Sequence, residues 1–153
     1  MSDADHEHFM RVAIEEGRRA GAEGNLAIGS VIVRDGAVIG AGRNTICTED
    51  DPTNHAEMAA IRHVCRTAGA SALPGATLYT TMEPCPMCLW AICVAGIPAL
   101  VISARHGDMQ PPRTQYGGYS VETLLSMTGR CLDIVSGVLA RDCIALRETE
   151  ARP

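Results

Sequence analysis

Two short runs, His55-Ala56-Glu57 and Pro84-Cys85-Pro86-Met87-Cys88, constrain this chain more than anything else in it. One imidazole and two thiols can fill three corners of a metal tetrahedron, so the fold must bring His55 beside Cys85 and Cys88. The cysteines stand three apart, a spacing that a helix presents on one face. The start of that helix is set by Pro84, and an earlier helix, opened by Asp51 or Thr53 as cap and running to about residue 67, carries His55 and Glu57 in its first turn. Two positive helix ends then meet at the metal, which favours thiolate over thiol.

The remaining elements follow from periodicity and turn residues. A helix is predicted over 9–21, ended by glycines, then a β-rich run over 27–33. Asp35-Gly36 signals a hairpin into a second strand over 37–42, and residues 43–52 read as a polar loop. Strands are expected at 76–82, 98–103 and 132–135, helices at 120–127 and 138–148, and a loop over 108–118. Strands alternating with helices predict an α/β fold whose five-stranded mixed sheet is covered on both faces.

Three protein ligands leave the fourth zinc position to water, which separates a catalytic site from a structural one. Zinc brings bound water to a pKa of about 7 in favourable sites. Glu57 is not needed as a ligand. It is placed to take a proton from the attacking water and pass it to the substrate. A structural site needs a fourth protein ligand, for which His63, Cys65 or Cys93 could be proposed; His63 lies too far along the helix from His55.

The combination of H-x-E with P-C-x-x-C is the signature of zinc deaminases acting on nucleobases. The chain resembles the cytidine-deaminase-like superfamily in its His-Ala-Glu branch, which contains bacterial guanine deaminases and tRNA adenosine deaminases. The resemblance rests on Ile28-Gly29-Ser30-Val31-Ile32-Val33, Gly42-Arg43-Asn44, Asp51-Pro52-Thr53-Asn54-His55-Ala56-Glu57 and the run from Leu78 through Cys88. It implies a three-layer α/β/α domain spanning 1–153, one zinc per chain on His55, Cys85 and Cys88, and Glu57 as proton shuttle. It further implies that Asn44 hydrogen-bonds the base, that Ile28 forms an apolar wall, that Ala56 and Cys85 offer backbone groups, and that the Glu83 carbonyl accepts from the leaving amine. The helix at 120–127 makes the fourth and fifth strands parallel in this branch. Homodimers are usual in it.

Residues 48–73 look more like guanine deaminase, whereas 136–143 look more like the tRNA enzyme. That enzyme usually ends in a basic tail, which this chain lacks. With 13 basic residues against 18 acidic ones and no basic stripe, a nucleic-acid partner is not expected. The expected activity is therefore hydrolytic deamination of a free amino-heterocycle: guanine, cytosine, a modified base or an s-triazine analogue. The alternatives are a tRNA adenosine deaminase and a non-catalytic zinc-binding subunit, the latter disfavoured by the intact Glu57. His106 and Asp108 are candidate base contacts, since the loop after the fourth strand departs from both patterns. Trp90 either closes one side of the pocket or belongs to the core or a dimer interface, Tyr116 and Tyr119 could cap the site or meet a dimer partner, and His6 and His8 read as a frayed terminus. Cys47, Cys65, Cys93, Cys131 and Cys143 read as buried small apolar residues. The N-terminus lacks the basic start and apolar stretch of a secretion signal, and no run is long enough to span a membrane, so a cytoplasmic enzyme is expected.

Overall fold

The computed structural model describes residues 2–109 and 117–148. Helix α1 (Asp3–Ala22) leads into β1 (Gly29–Arg34) and β2 (Ala37–Arg43), followed by a short α2 (Ile46–Glu49) and by α3 (Ala56–Ala68). Then come β3 (Thr77–Met82), α4 (Pro86–Val94), β4 (Ala99–Ala104), a 3-10 turn at His106–Asp108, α5 (Val121–Thr128), β5 (Asp133–Ser136) and α6 (Ala140–Glu148). The strands form one mixed sheet in the order β2-β1-β3-β4-β5. β1 runs antiparallel to both β2 and β3, while β3, β4 and β5 are mutually parallel.

Both faces of the sheet are buried, and alternation along each strand divides the core in two. Val31, Val33, Tyr79 and Val101 point to the layer of α1 and α6, where they meet Phe9, Met10, Ala13, Ile14 and Cys143. Ile32, Leu78, Leu100 and Ile102 point the other way, to Ala60, Val64, Leu89, Ile92, Val121 and Leu125 of α3, α4 and α5. The hairpin turn is of the primed kind, with both Asp35 and Gly36 at positive φ (53° and 75°).

Two glycines let helices lie directly on the sheet. A Cβ at Gly29 would collide with the Ala13 carbonyl and the Gly17 amide of α1. One at Gly42 would collide with the Ala56 carbonyl and the Ala60 amide of α3. The first turn of α3, which carries Glu57, is thereby seated on β2 without an intervening side chain.

Several expectations are corrected. α1 begins at Asp3, capped by a reciprocal pair of hydrogen bonds between Ser2 and Asp5. His6 and His8 are therefore helical rather than frayed, and His6 Nδ1 lies 3.0 Å from the Tyr79 hydroxyl. Asp51 and Thr53 do not cap α3: the Asp51 carboxylate closes a local turn by accepting from the Thr53 amide (2.8 Å) and hydroxyl (2.7 Å). The polar loop contains α2, whose Cys47 is exposed, as is Cys131; Cys65 and Cys93 are half-buried, and only Cys143 of the five is buried.

Candidate active site

His55 and Cys85 occupy equivalent positions. Each is the residue capping a helix, His55 for α3 and Cys85 for α4, with extended backbone (φ −71°, ψ 156° and φ −69°, ψ 168°) and no side-chain capping bond. A capping side chain normally folds back onto the helix amides. These two instead turn toward each other, with His55 Nδ1 3.6 Å from Cys85 Sγ. Pro86 follows as the first residue of α4, where its missing N–H costs nothing, so the helix starts two residues later than the sequence suggests. Cys88 stands one turn in from Cys85 and is fully buried.

The donor atoms of His55, Cys85 and Cys88 all lie within 4.8 Å of one another, and among the described residues no fourth His, Cys, Asp or Glu joins them. Zinc fits this set. Bonds of about 2.3 Å to sulfur and 2.0 Å to nitrogen at a tetrahedral angle require an S···N edge of about 3.5 Å, close to the 3.6 Å of the His55–Cys85 pair. His63, in contrast, is exposed on α3.

Charge is already arranged for a cation. The Cys85 thiol is lowered to about 4, first by a hydrogen bond from Cys88 and then by His55, against the opposing effect of burial. The same bond, with burial, pushes Cys88 up. His55 is raised by its bond to Cys85. Glu57 is 4% exposed and its carboxyl is raised by burial, while the Thr80 hydroxyl donates to its Oε1 at 3.3 Å.

A cavity of about 100 Å³ opens beside this group, lined by Leu26, Ile28, Asn44, His55, Ala56, Glu57, Met82, Glu83, Cys85, His106 and Arg147. Asn44 is buried (1% exposed) and fixed by its own amide donating to the Ile28 carbonyl (3.0 Å), while its Oδ1 accepts from Ile46 (3.3 Å). The Glu83 side chain is a bracket: it accepts from Arg105 Nη1, from the His106 amide and from the Val121 amide, each at 3.1 Å. It thus ties the segment before α4 to the 3-10 turn and to the start of α5. Tyr119 donates to the Pro84 carbonyl at 2.6 Å.

Asp108 and Trp90 are not brought into the cavity. Asp108 is exposed and its carboxylate accepts from the Arg105 amide (2.8 Å) to close the 3-10 turn. Trp90 is 43% exposed on α4, with the Arg130 guanidinium 5.6 Å over its ring. Tyr116 lies outside the described residues. Three lining residues were not expected, Leu26, Met82 and Arg147. The sequence reading places Arg147 only within the helix at 138–148; the available signal was its i+4 relation to Cys143, which places both on the inward face of α6.

Residues 3–104 match the cytidine and deoxycytidylate deaminase zinc-binding region. The chain is 47% identical over 107 residues to guanine deaminase of Bacillus subtilis, covering 68% of this chain and 67% of that one. It is 36% identical over 138 residues to the tRNA-specific adenosine deaminase of the same organism, covering 90% of this chain and 83% of that one. A solved structure from work on A-to-I editing by tRNA:A34 deaminases superposes with a TM-score of 0.78 at 35% identity, covering 91% of this chain and 98% of that one. With the three-ligand cluster, the buried glutamate beside it and this match over most of the chain, the protein belongs to the cytidine and deoxycytidylate deaminase family of zinc-dependent hydrolytic deaminases.

Proposed function

We propose that this deaminase acts on a free amino-heterocycle, with guanine the first candidate, and releases ammonia as a ring C–NH2 becomes C=O. The observation that carries this reading is the small cavity beside Glu57 and the metal ligands, walled by side chains from both helical layers. The identity to guanine deaminase of Bacillus subtilis supports the ring.

His55, Cys85 and Cys88 would hold the zinc, which when bound supplies the Lewis acidity that makes water a nucleophile at neutral pH. Ile28 and Met82 offer apolar walls to a flat ring, and Asn44 offers an amide for its edge. Glu57, dry and oriented by Thr80, takes the proton from the attacking water and gives it to the adjacent ring nitrogen. It then takes the second proton from the hydroxyl on the tetrahedral carbon and passes it to the amine as the C–N bond breaks and the C=O forms, so one carboxyl serves two consecutive transfers. Glu83 acts through its place in the chain: its side chain is spent on Arg105, His106 and Val121, leaving its carbonyl to meet the leaving amine.

A second reading, deamination of adenosine in tRNA, is favoured by one observation. The tRNA-specific adenosine deaminase of Bacillus subtilis aligns over more of the chain, 90%, than the guanine deaminase of that organism, 68%. Ammonia release from guanine, cytosine and s-triazines, measured beside inosine formation in an anticodon stem-loop, separates the two. Release from a free ring is expected; inosine formation with none from any ring would put the second reading in its place.

A further inference from the structure

Helix α2 is a single turn, and Thr45, the residue before it, makes no side-chain capping bond. A helix this short does not persist on its own, so groups outside it hold it in place. From the loop after α1, Asn25 Oδ1 accepts from the Cys47 (2.9 Å) and Thr48 (3.2 Å) amides. From the other side comes Asn54, which is 8% exposed. Its Nδ2 donates to Thr45 Oγ1 at 2.7 Å and to the Glu49 carboxylate, so one side chain grips both ends of α2. Its carbonyl accepts from the Thr45 amide (3.1 Å), and its Oδ1 accepts from Arg62 Nη1 of α3 (2.9 Å). Both N–H groups and the oxygen of the side chain are thereby engaged.

Asn54 is not part of the cavity wall, but it stands between two residues that are. It immediately precedes His55 in the chain, and the turn it grips reaches Asn44, because the Ile46 amide donates to Asn44 Oδ1 (3.3 Å). A backbone N–H can only donate, so this contact fixes which way the Asn44 amide is turned. From this arrangement we infer that Asn54 is a positioning residue: it clamps α2 to the turn before His55 and so sets where the Asn44 amide stands relative to the metal ligands. The inference rests on the reading above in which Asn44 meets the substrate ring.

A double-mutant cycle on Asn44→Ala and Asn54→Ala tests it. The cycle is read as kcat/KM on whichever is turned over, a free ring or an anticodon stem-loop, with zinc content and melting temperature measured alongside. Asn54→Ala should lower kcat/KM about tenfold, mostly by raising KM, with zinc at the unaltered level. In the Asn44→Ala background the same change should cost less than about twofold. Asn54→Asp alone sets a second carboxylate against Glu49 and should lose as much as Asn54→Ala. Pairing it with Glu49→Gln exchanges donor for acceptor, lets the Thr45 hydroxyl donate, and should recover most of the loss. If Asn54→Ala does not fold, Glu49→Ala, at an exposed position, takes its place in the cycle, with a smaller loss of the same kind. Additive losses, a fall in kcat at unchanged KM, loss of zinc, or an Asn44→Ala variant as active as the unaltered protein would overturn the inference. Inosine formation with no ammonia from any ring is a different result: it removes the free-ring reading and leaves the cycle, run on the stem-loop, to decide on Asn54. No turnover of any substrate would remove both.

Discussion

Glu57 sits where a carboxylate is least comfortable as an anion, and that discomfort suits it to carry protons. Glu57→Gln preserves shape and the Thr80 contact but removes the titrating group. We expect ammonia release to fall by about two to four orders of magnitude while zinc content stays at the unaltered level. Unchanged release would remove Glu57 from the mechanism. His55→Ala takes out a ligand, so metal analysis should show zinc lost, and retained stoichiometry would refute the ligand set. Both residues were legible from spacing, because a tetrahedral ion demands particular atoms at particular separations. The place of Arg147 on the cavity wall was not, since its burial follows from its i+4 relation to Cys143 but its meeting with the cavity depends on the direction in which α6 crosses the sheet. Asp108 shows the converse: a polar residue after β4 is a fair candidate for recognition, yet here it satisfies the Arg105 amide.

At the level of elements, the site depends on how α3 and α4 are held. Gly42 is the contact point of α3 with β2, so Gly42→Ala should force the first turn of α3 off the sheet. A cost of about 1 to 3 kcal/mol, read from denaturant midpoints, should come with weakened zinc retention, because His55 caps that same turn. Full stability and metal content in this variant would show the seating to be irrelevant. The Arg105–Glu122 pair anchors α5 to the turn after β4, with Nη2 2.8 Å from the carboxylate. Partial burial works to raise Glu122, but the Arg105 bond and charge outweigh it and hold the carboxyl below its ordinary value. Such a group stabilises the fold above its unfolded pKa, and the contribution disappears as pH falls through the lowered folded value. Glu122 is largely exposed, so the effect is a few tenths of a kcal/mol. Glu122→Gln should therefore differ from the unaltered protein at about pH 7 and match it at about pH 3; a difference that persists in acid would contradict the assignment. Element identity followed well from periodicity. The helix starts did not, because His55 and Cys85 sit at capping positions while their side chains serve the metal, so the usual caps at Asp51 and Thr53 mislead.

Across the whole molecule, the mixed sheet was foreseeable from alternating strands and helices, while the cavity was not, because it draws on both layers at once. No helix among the described residues is long and apolar enough to cross a membrane. The metal ligands bridge two helices that are far apart in sequence, so removing zinc should cost global stability rather than loosen one loop. A chelator should lower the melting temperature by several degrees, and zinc alone should restore it. The end of β4 divides the chain in another sense. Everything that would hold the ion, together with Glu57, precedes Ala104, and the family match ends there; His106 and Arg147, on the cavity wall, come after it. Part of the cavity wall is thus written apart from the ligands of the ion, which leaves that part open to change in the last third of the chain without touching the catalytic cluster. A chimaera that joins residues 1–104 to the corresponding last third of a relative should keep the chemistry and adopt a new ring.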